Sequence, residues 1–161
     1  MDELIEKIAF EYGLDPDLVR AIVKVESGGD PWAVRYEPGF YRTYVLRMLS
    51  GRLDPPKPAG VSRATEARLR SCSFGLMQVM GQVARERGFE KPFLTELCDP
   101  ATGLRHGCFH LKFMLDRYLG ETPRAVAAYN AGSARVKGGR LVNQDYVDKV
   151  LVTLSGLKSK P

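Results

Sequence analysis

The chain lacks any long apolar segment and has few cysteine, histidine and tryptophan residues. None of its 161 residues belongs to an apolar run of about 18 or more, which is the length of a membrane-spanning helix. Its 16 glycines and 10 prolines are too few for a fibrous or disordered protein. A hydrophobic content of 44% is enough for one compact core. We therefore predict one domain over residues 1–161, with no membrane span.

The first residues, MDELIEKIAF, also lack the basic start and apolar stretch of a secretory signal. An amphipathic helix with acidic residues is the simpler interpretation. If the protein acts outside the cytoplasm, either a signal has been removed or export follows another route, such as a phage or secretion machinery.

The sequence gives little support for a metal site or a disulfide framework. The three cysteines are an odd number and include no CxxC pair. Two alternatives stay open: reduced structural thiols, or a Cys98–Cys108 bridge that leaves Cys72 free. His106 and His110 have a spacing that can bind zinc, but no third ligand is evident. We expect structural histidines, no metal and no cofactor.

The charge balance is basic but dispersed. A net charge of +5 and a pI near 9.2 favour polyanionic partners, such as nucleic acid or the bacterial wall. Two small clusters are interpreted as solvated surface: Arg63, Arg68 and Arg70; and Arg135, Lys137 and Arg140. The aromatic residues are not interleaved with lysine and arginine, so we expect no nucleic-acid partner.

Helical patterns dominate the chain. Apolar spacing predicts a helix over residues 2–12, and Asp15-Pro16 begins the next one, which Gly28 ends. Similar starts at Asp99-Pro100 and Thr122-Pro123 predict two further helices that end near Gly120 and Gly132. A last helix is expected over residues 145–154. The predicted fold class is mainly α, in a compact arrangement.

Residues 37–62 interrupt this pattern. Their centre, Asp54–Pro58, is too rich in proline for regular helix. The segment is predicted to be an insertion in the domain, and it could hold a short β-hairpin. Neither flank alone makes a complete domain, so no domain boundary is placed here.

Glu26 is the first candidate for chemistry. It continues the apolar face of its helix at four and seven residues after Ile22 and Val19. Partial burial and the negative end of the helix dipole should both raise the pKa of its carboxyl. A carboxyl that stays protonated near neutral pH can act as a general acid. Alone, the position is more typical of a surface glutamate near a helix end.

Two later segments carry polar groups next to small residues. SCSFGLMQVMGQ places Gly75 where the backbone can approach a neighbour closely, and then Met77 and Gln78. AVAAYNAG ends a helix with Tyr129 and Asn130. Alone, neither segment is strong evidence for a site. The first is also typical of a turn before a core helix, and the second is typical of a helix C-terminus.

Together and in this order, the motifs resemble the lytic transglycosylase family, which is related to goose-type lysozymes. The resemblance covers residues 3–152 and is carried by Glu26-Ser27, Ser73-Phe74-Gly75-Leu76-Met77-Gln78, Ala128-Tyr129-Asn130-Ala131-Gly132, Tyr146-Val147, and Asp99-Pro100 with Gly107 and Leu111. It implies a lysozyme-like helical domain with a groove that binds peptidoglycan glycan strands. It also implies a monomer without cofactors that acts in the periplasm or cell wall.

The resemblance further implies roles for single residues. Glu26 would be the only acid/base and Tyr146 would hold it by a hydrogen bond. Cleavage between N-acetylmuramic acid and N-acetylglucosamine would leave a 1,6-anhydro end, so water and a second carboxylate are not needed. The residues implied to line the groove are Ser27, Ser73, Met77, Gln78, Tyr129 and Asn130.

Some positions depart from the family, and other functions stay open. The insertion lengthens the spacing between Glu26 and Gly75, and Val142 stands where the family often has glutamate. A lysozyme-like hydrolase could use Glu37 or Asp30 to place water. A non-catalytic glycan-binding module of a secretion or phage assembly is the alternative from another class.

Overall fold

The computed structural model describes residues 1–159 and contains two compact units. One unit comprises Met1–Gly28 and the described residues from Gly107 on; the other is Gly29–His106. Helices dominate both, so the mainly α class is confirmed. The single domain over residues 1–161 stays a prediction, and its last two residues lie outside the described ones. Within residues 1–159, no helix combines the length and apolarity needed to cross a membrane.

The first unit is built mainly from packed helices. Helix α1 packs against α2, α2 packs against α9, and α9 packs against α8. Its elements are α1 (Asp2–Glu11), α2 (Pro16–Ser27), the part of α7 (Pro100–Arg117) from Gly107 on, α8 (Thr122–Ala131), a hairpin of β4 (Val136–Lys137) and β5 (Arg140–Leu141), and α9 (Gln144–Lys158).

The predicted helix starts and stops are confirmed. The Asp15 side chain accepts a hydrogen bond from the Asp17 N–H at 2.9 Å, with Pro16 in the first turn. Helices α2 and α8 end at Gly28 and Gly132, whose φ values of 65° and 75° are in the left-handed region. The last helix is longer than expected because its apolar positions continue beyond residue 154.

The second unit combines short helices with a small sheet. The sheet is antiparallel in the order β1-β2-β3, with Val34 opposite Phe74 and Ser73 opposite Met80. Its elements are β1 (Val34–Tyr36), α3 (Pro38–Phe40), a π-helical turn (Tyr41–Val45), α4 (Leu46–Leu49), α5 (Arg63–Leu69), β2 (Cys72–Phe74), β3 (Val79–Met80), α6 (Gly81–Glu86), a 3₁₀ helix (Leu94–Cys98) and the first turns of α7.

The hairpin considered for residues 37–62 is not formed in that segment; among the described residues, β1 ends just before it. The first part is helical because Val45 and Met48 lie at helical spacing and are buried with Ala67 of α5. Pro55, Pro56 and Pro58 have no N–H for a strand ladder, and residues 50–62 contain no helix or strand.

A buried ion network stabilises the second unit. Glu66, only 3% exposed, accepts hydrogen bonds from Arg70 at 2.9 Å and Arg85 at 2.8 Å. Arg70 also donates to the carbonyl of Pro56, so the network reaches the proline segment. Arg85 donates to the carbonyls of Phe89, Lys91 and Pro92. Arg70 was predicted to lie on a solvated surface; that was wrong, because Glu66 pairs with it in the interior.

Candidate functional site

Glu26 and Tyr146 are in direct contact in the first unit. The Tyr146 hydroxyl donates a hydrogen bond to Oε1 of Glu26 at 2.7 Å, across 120 residues of sequence. Both side chains are half-buried. A short hydrogen bond from a phenol restrains the carboxyl in orientation. The arrangement that the sequence resemblance implied for this pair is present.

Two packed helices hold this pair. Glu26 lies in the last turn of α2, whose Val19 and Ile22 are completely buried. Tyr146 lies in the first turn of α9, which Val147 and Val150 anchor in the core. Because α2 packs directly against α9, the relative position of the two side chains is set by close-packed apolar contacts.

Tyr129 is a second buried phenol near this pair. It is 8% exposed, and its ring lies 5.1 Å from the His110 ring at 43°. Burial raises the pKa of Tyr129 well above its usual value, and the nearby Glu26 carboxylate, when ionised, raises it further. Tyr129 therefore keeps its proton at neutral pH and can act as a hydrogen-bond donor.

Asn130 is exposed and its amide is oriented by Asn143. Nδ2 of Asn143 donates to Oδ1 of Asn130 and to the carbonyl of Ala127, both at 3.0 Å. This assigns Oδ1 of Asn130 to an internal bond and leaves its NH₂ group on the other side of the amide. Ser27, next to Glu26, donates to the carbonyl of Val23 at 3.1 Å.

The sequence did not point to Asn143. Its only local signal is its position as the residue that precedes the first turn of α9. The bond to Asn130 connects residues 13 positions apart across a hairpin, and such a contact depends on tertiary packing that no spacing rule predicts.

The GLMQ motif forms the tight turn between β2 and β3 in the second unit. Gly75 has φ of 73°, and a Cβ atom there would lie 2.4 Å from the carbonyl oxygen of Leu97. The predicted close backbone approach is confirmed. Nε2 of Gln78 donates to the carbonyls of Ala33 at 2.9 Å and Gly75 at 3.0 Å. The amide hydrogens of Gln78 thus fix the loop before β1, and its Oε1 remains as the group to present to a ligand.

Two other predicted contact residues are buried within this unit. Ser73 is 3% exposed on β2, and Met77 is completely buried in the turn. Their observed role is to pack the turn that carries Gln78. Direct substrate contact by Ser73 or Met77 stays a prediction.

The candidate second carboxylates each have a structural partner. Oε1 of Glu37 accepts a hydrogen bond from Nε of Arg35 at 2.8 Å, and its backbone N–H donates to the carbonyl of Ser71. Oδ1 of Asp30 accepts the N–H of Trp32 at 2.8 Å. Both carboxylates therefore have local structural contacts within the second unit.

The histidines and cysteines have packing roles. His106 lies edge-on to Phe89 at 4.8 Å, and burial, followed by the charge of Lys91, lowers its pKa. Cys72, Cys98 and Cys108 are free thiols, so the reduced alternative holds and the Cys98–Cys108 bridge is absent. Burial raises the pKa of Cys108 to about 12, which makes it unreactive. Residues 1–159 contain no group of three side chains that could hold a metal.

The chemistry available in the first unit is proton transfer by one carboxyl. Because Oε1 of Glu26 accepts the Tyr146 hydrogen bond, a transferable proton would reside on Oε2. A restrained carboxyl of this kind can protonate a leaving oxygen and later remove a proton from another hydroxyl.

Comparisons with known proteins identify the family of the chain. The family model described as Transglycosylase SLT domain matches residues 3–149. The membrane-bound lytic murein transglycosylases C of three Actinobacillus pleuropneumoniae strains, of serotypes 5b, 3 and 7, are each 27% identical over 146 residues. These alignments cover 83% of this chain and only 31% of the relatives, so the chain spans about a third of their length.

A solved structure shares the fold. It is an inactive mutant of the lytic transglycosylase Slt from Pseudomonas aeruginosa, in which a glutamate is replaced by glutamine. The match has a TM-score of 0.54 and 21% identity, and it covers 95% of this chain and 21% of that chain. It confirms the predicted helical, lysozyme-like fold class.

Proposed function

The chain belongs to the Transglycosylase SLT domain family, and from this premise we propose that it is a peptidoglycan lytic transglycosylase. It cleaves the β-1,4 bond between N-acetylmuramic acid and N-acetylglucosamine and leaves a 1,6-anhydromuramoyl end. The observation that carries the proposal is the 2.7 Å hydrogen bond from Tyr146 to Glu26, which restrains a half-buried carboxyl. The murein-degrading relatives support the choice of substrate.

In the first step, Glu26 acts as the general acid. Its proton passes from Oε2 to the bridging oxygen of the glycosidic bond, and the bond electrons leave with that oxygen. Positive charge develops at the anomeric carbon of the muramoyl sugar. The carboxylate that remains is stabilised by the donated hydrogen bond from Tyr146.

In the second step, the same carboxylate acts as the general base. It removes the proton of the muramoyl C6 hydroxyl, and that oxygen attacks the anomeric carbon to close the anhydro ring. Glu26 regains its proton, so one carboxyl completes the cycle without water. The absence of a second catalytic carboxylate is consistent with the structural partners of Glu37 and Asp30.

Polar groups within the motifs make the proposed contacts with the glycan. Tyr129 offers a phenol that keeps its proton, and Asn130 offers an N–H donor that suits an acetamido or lactyl carbonyl. Ser27 and Gln78 contribute a hydroxyl and an amide oxygen. Ser73 and Met77 are buried in the second unit and act on the glycan through the turn that carries Gln78.

The site of action follows from the substrate. Peptidoglycan lies outside the cytoplasmic membrane, so the protein acts in the periplasm or cell wall, as a monomer on glycan strands. The positive net charge favours approach to the acidic wall.

The test compares two conservative substitutions. Glu26→Gln keeps the shape and removes the transferable proton, so we expect wall lysis to fall by a factor of about 10² to 10⁴. Glu37→Gln is the matched control in the second unit and should clear a wall suspension within about twofold of the parent rate. Circular dichroism checks the fold of both. Lysis by Glu26→Gln at the parental rate would refute the proposed role of this residue.

A further inference from the structure

The second unit exposes a row of apolar side chains where the chain enters its sheet. Trp32, Val34 and Tyr36 are 72%, 57% and 51% exposed. They occur at every second residue, and β1 is the edge strand of the sheet. Val34 and Tyr36 share a face because side chains alternate along a strand. Exposed apolar groups of this size, arranged together, are typical of binding surfaces.

The backbone beneath this row is held rigidly. The Trp32 N–H donates to Oδ1 of Asp30 at 2.8 Å. The next carbonyl, that of Ala33, accepts both the Gly75 N–H at 2.8 Å and Nε2 of Gln78 at 2.9 Å. The backbone on either side of the Trp32 ring is therefore held in place while the ring stays exposed. A preorganised backbone loses little conformational entropy when a ligand binds to the side chain that it carries.

The far end of the row is also oriented. The Tyr36 ring packs edge-on against Tyr41, with centroids 5.8 Å apart and planes at 66°. An extended chain advances about 3.3 Å per residue, so the Cα atoms of Trp32 and Tyr36 are at most about 13 Å apart. Side chains carried by backbone positions this close can contact one short run of linked pyranose rings.

The charge of this surface selects a neutral ligand. Arg35 and Glu37, which flank Tyr36, neutralise each other in an ion pair at 2.8 Å. Three side chains are too small an area for a stable protein interface, which buries about 800 Å² per partner. A strand of three residues offers few ladder hydrogen bonds to a peptide strand. A saccharide has apolar ring faces that stack on aromatic rings and hydroxyls that bond to a polar rim.

We propose that Trp32 and Tyr36 form a stacking platform for the glycan strand, with Trp32 as the principal contact. This inference rests on the proposed function for the identity of the ligand, and it adds a binding site that the family motifs did not indicate. Asp30 and Gln78 act here as positioning residues, because they fix the backbone around the tryptophan.

The test uses Trp32 as its own reporter, since it is the only tryptophan in the chain. The Glu26→Gln variant prevents cleavage, and the probe is the β-1,4-linked tetramer of N-acetylglucosamine. We expect a saturable change in tryptophan fluorescence and reduced quenching by iodide. Tyr36→Ala should raise the fluorescence-derived Kd by several-fold to about tenfold, and Tyr36→Phe, which keeps the ring, should retain the parental value.

Phe10→Ala is the matched control. Phe10 is also 72% exposed but lies on α1 in the first unit, and its removal should leave the Kd unchanged. No fluorescence response to the tetramer, a response only to stem peptide, or equal effects of Tyr36→Ala and Phe10→Ala would each overturn the platform.

Product analysis with the unsubstituted chain separates the two proposals. Anhydro products without any change in Trp32 fluorescence would overturn the platform and leave the proposed activity in place. A saturable Trp32 response without cleavage of peptidoglycan would support glycan binding and overturn the proposed activity.

Discussion

The two units of the molecule hold their functional groups in different ways. In the first unit, Glu26 and Tyr146 are placed by packed helices with completely buried apolar residues, such as Val19 and Val150. In the second, short strands and turns are held by side-chain bonds to backbone carbonyls and by the buried Glu66 network. Apolar packing gives Glu26 a fixed position, whereas hydrogen bonds from polar side chains hold the irregular segments that carry Trp32 and Gln78.

This difference has a consequence for substitutions. Packed helices tolerate the loss of a single polar contact, because the core still fixes the backbone. A buried polar network does not, because each remaining charge loses its partner. Removing a carboxylate from the buried network of the second unit should therefore cost more stability than removing an exposed carboxylate from the first unit.

The largest effect on stability is expected from Glu66→Ala. It leaves Arg70 and Arg85 without their buried carboxylate, and breaking such a pair costs about 3–5 kcal/mol. Denaturant unfolding measures the change. Glu6→Ala, which removes an exposed partner of Arg20 in the first unit, is the control and should cost less than about 1 kcal/mol. Equal costs for both would contradict the contrast between the units.

Next in size is Tyr146→Phe, which removes the hydrogen bond to Glu26. A hydrogen bond to a charged group is worth about 1.5–3 kcal/mol, so kcat should fall by about ten- to a hundredfold. The alkaline limb of the pH–rate profile, on which Glu26 loses its proton, should shift to higher pH as well, because the carboxylate form loses a donor. Tyr118→Phe, which loses a bond to the Ala134 N–H elsewhere in the first unit, should leave both unchanged. An unaltered profile in Tyr146→Phe would exclude the positioning role.

A smaller effect is expected from Asn143→Ala. The substitution removes both hydrogen bonds donated by Asn143, one of which orients the Asn130 amide. The Asn130 amide can then rotate, and it presents its N–H to the glycan less often. We expect KM for glycan to rise several-fold while kcat stays close to the parental value. The neighbouring Gln144→Ala, which also removes local hydrogen bonds, serves as the control. A fall in kcat alone would place Asn143 in a different role.

The smallest effect concerns pH and His106. Burial, then the charge of Lys91, lowers its pKa, so the unfolded chain binds the proton more strongly. Above the ordinary pKa of about 6.5, His106 is neutral in both the folded and the unfolded chain, so its titration costs no stability. As pH falls from there toward the lowered pKa, the unfolded chain takes up the proton first and the free energy of unfolding decreases. His106→Phe should flatten the dependence of Tm on pH in that window. If Tm of the variant keeps the parental dependence on pH, groups other than His106 cause that dependence.

Much of the helical framework could be predicted from local chemistry. Asp15-Pro16, Gly28 and Gly132 act through short-range capping and backbone conformation, so the sequence around them is sufficient. The Glu26–Tyr146 pair was implied only through the ordered family motifs, since 120 residues separate its members.

Other features depend on contacts that have no local pattern. Glu66 and Arg70 have helical spacing, but Arg85 joins them from 19 residues away, and the interior position of Arg70 followed only from the fold. The helical start of the 37–62 segment was missed because the prolines dominated its pattern, although Val45 and Met48 had helical spacing. Met77 and Gln78 were placed at the entrance of a helix, whereas Gly75 makes their segment the turn of a hairpin.

Glu26 is proposed to be the one carboxyl that cleaves the glycan, with no water as a reactant. Mass spectrometry of the products formed from peptidoglycan in heavy-oxygen water tests this proposal. We expect muramoyl ends that are lighter than hydrolysed ends by one water and contain no heavy oxygen. Ends with one heavy oxygen at the reducing carbon would contradict it and would identify a hydrolase.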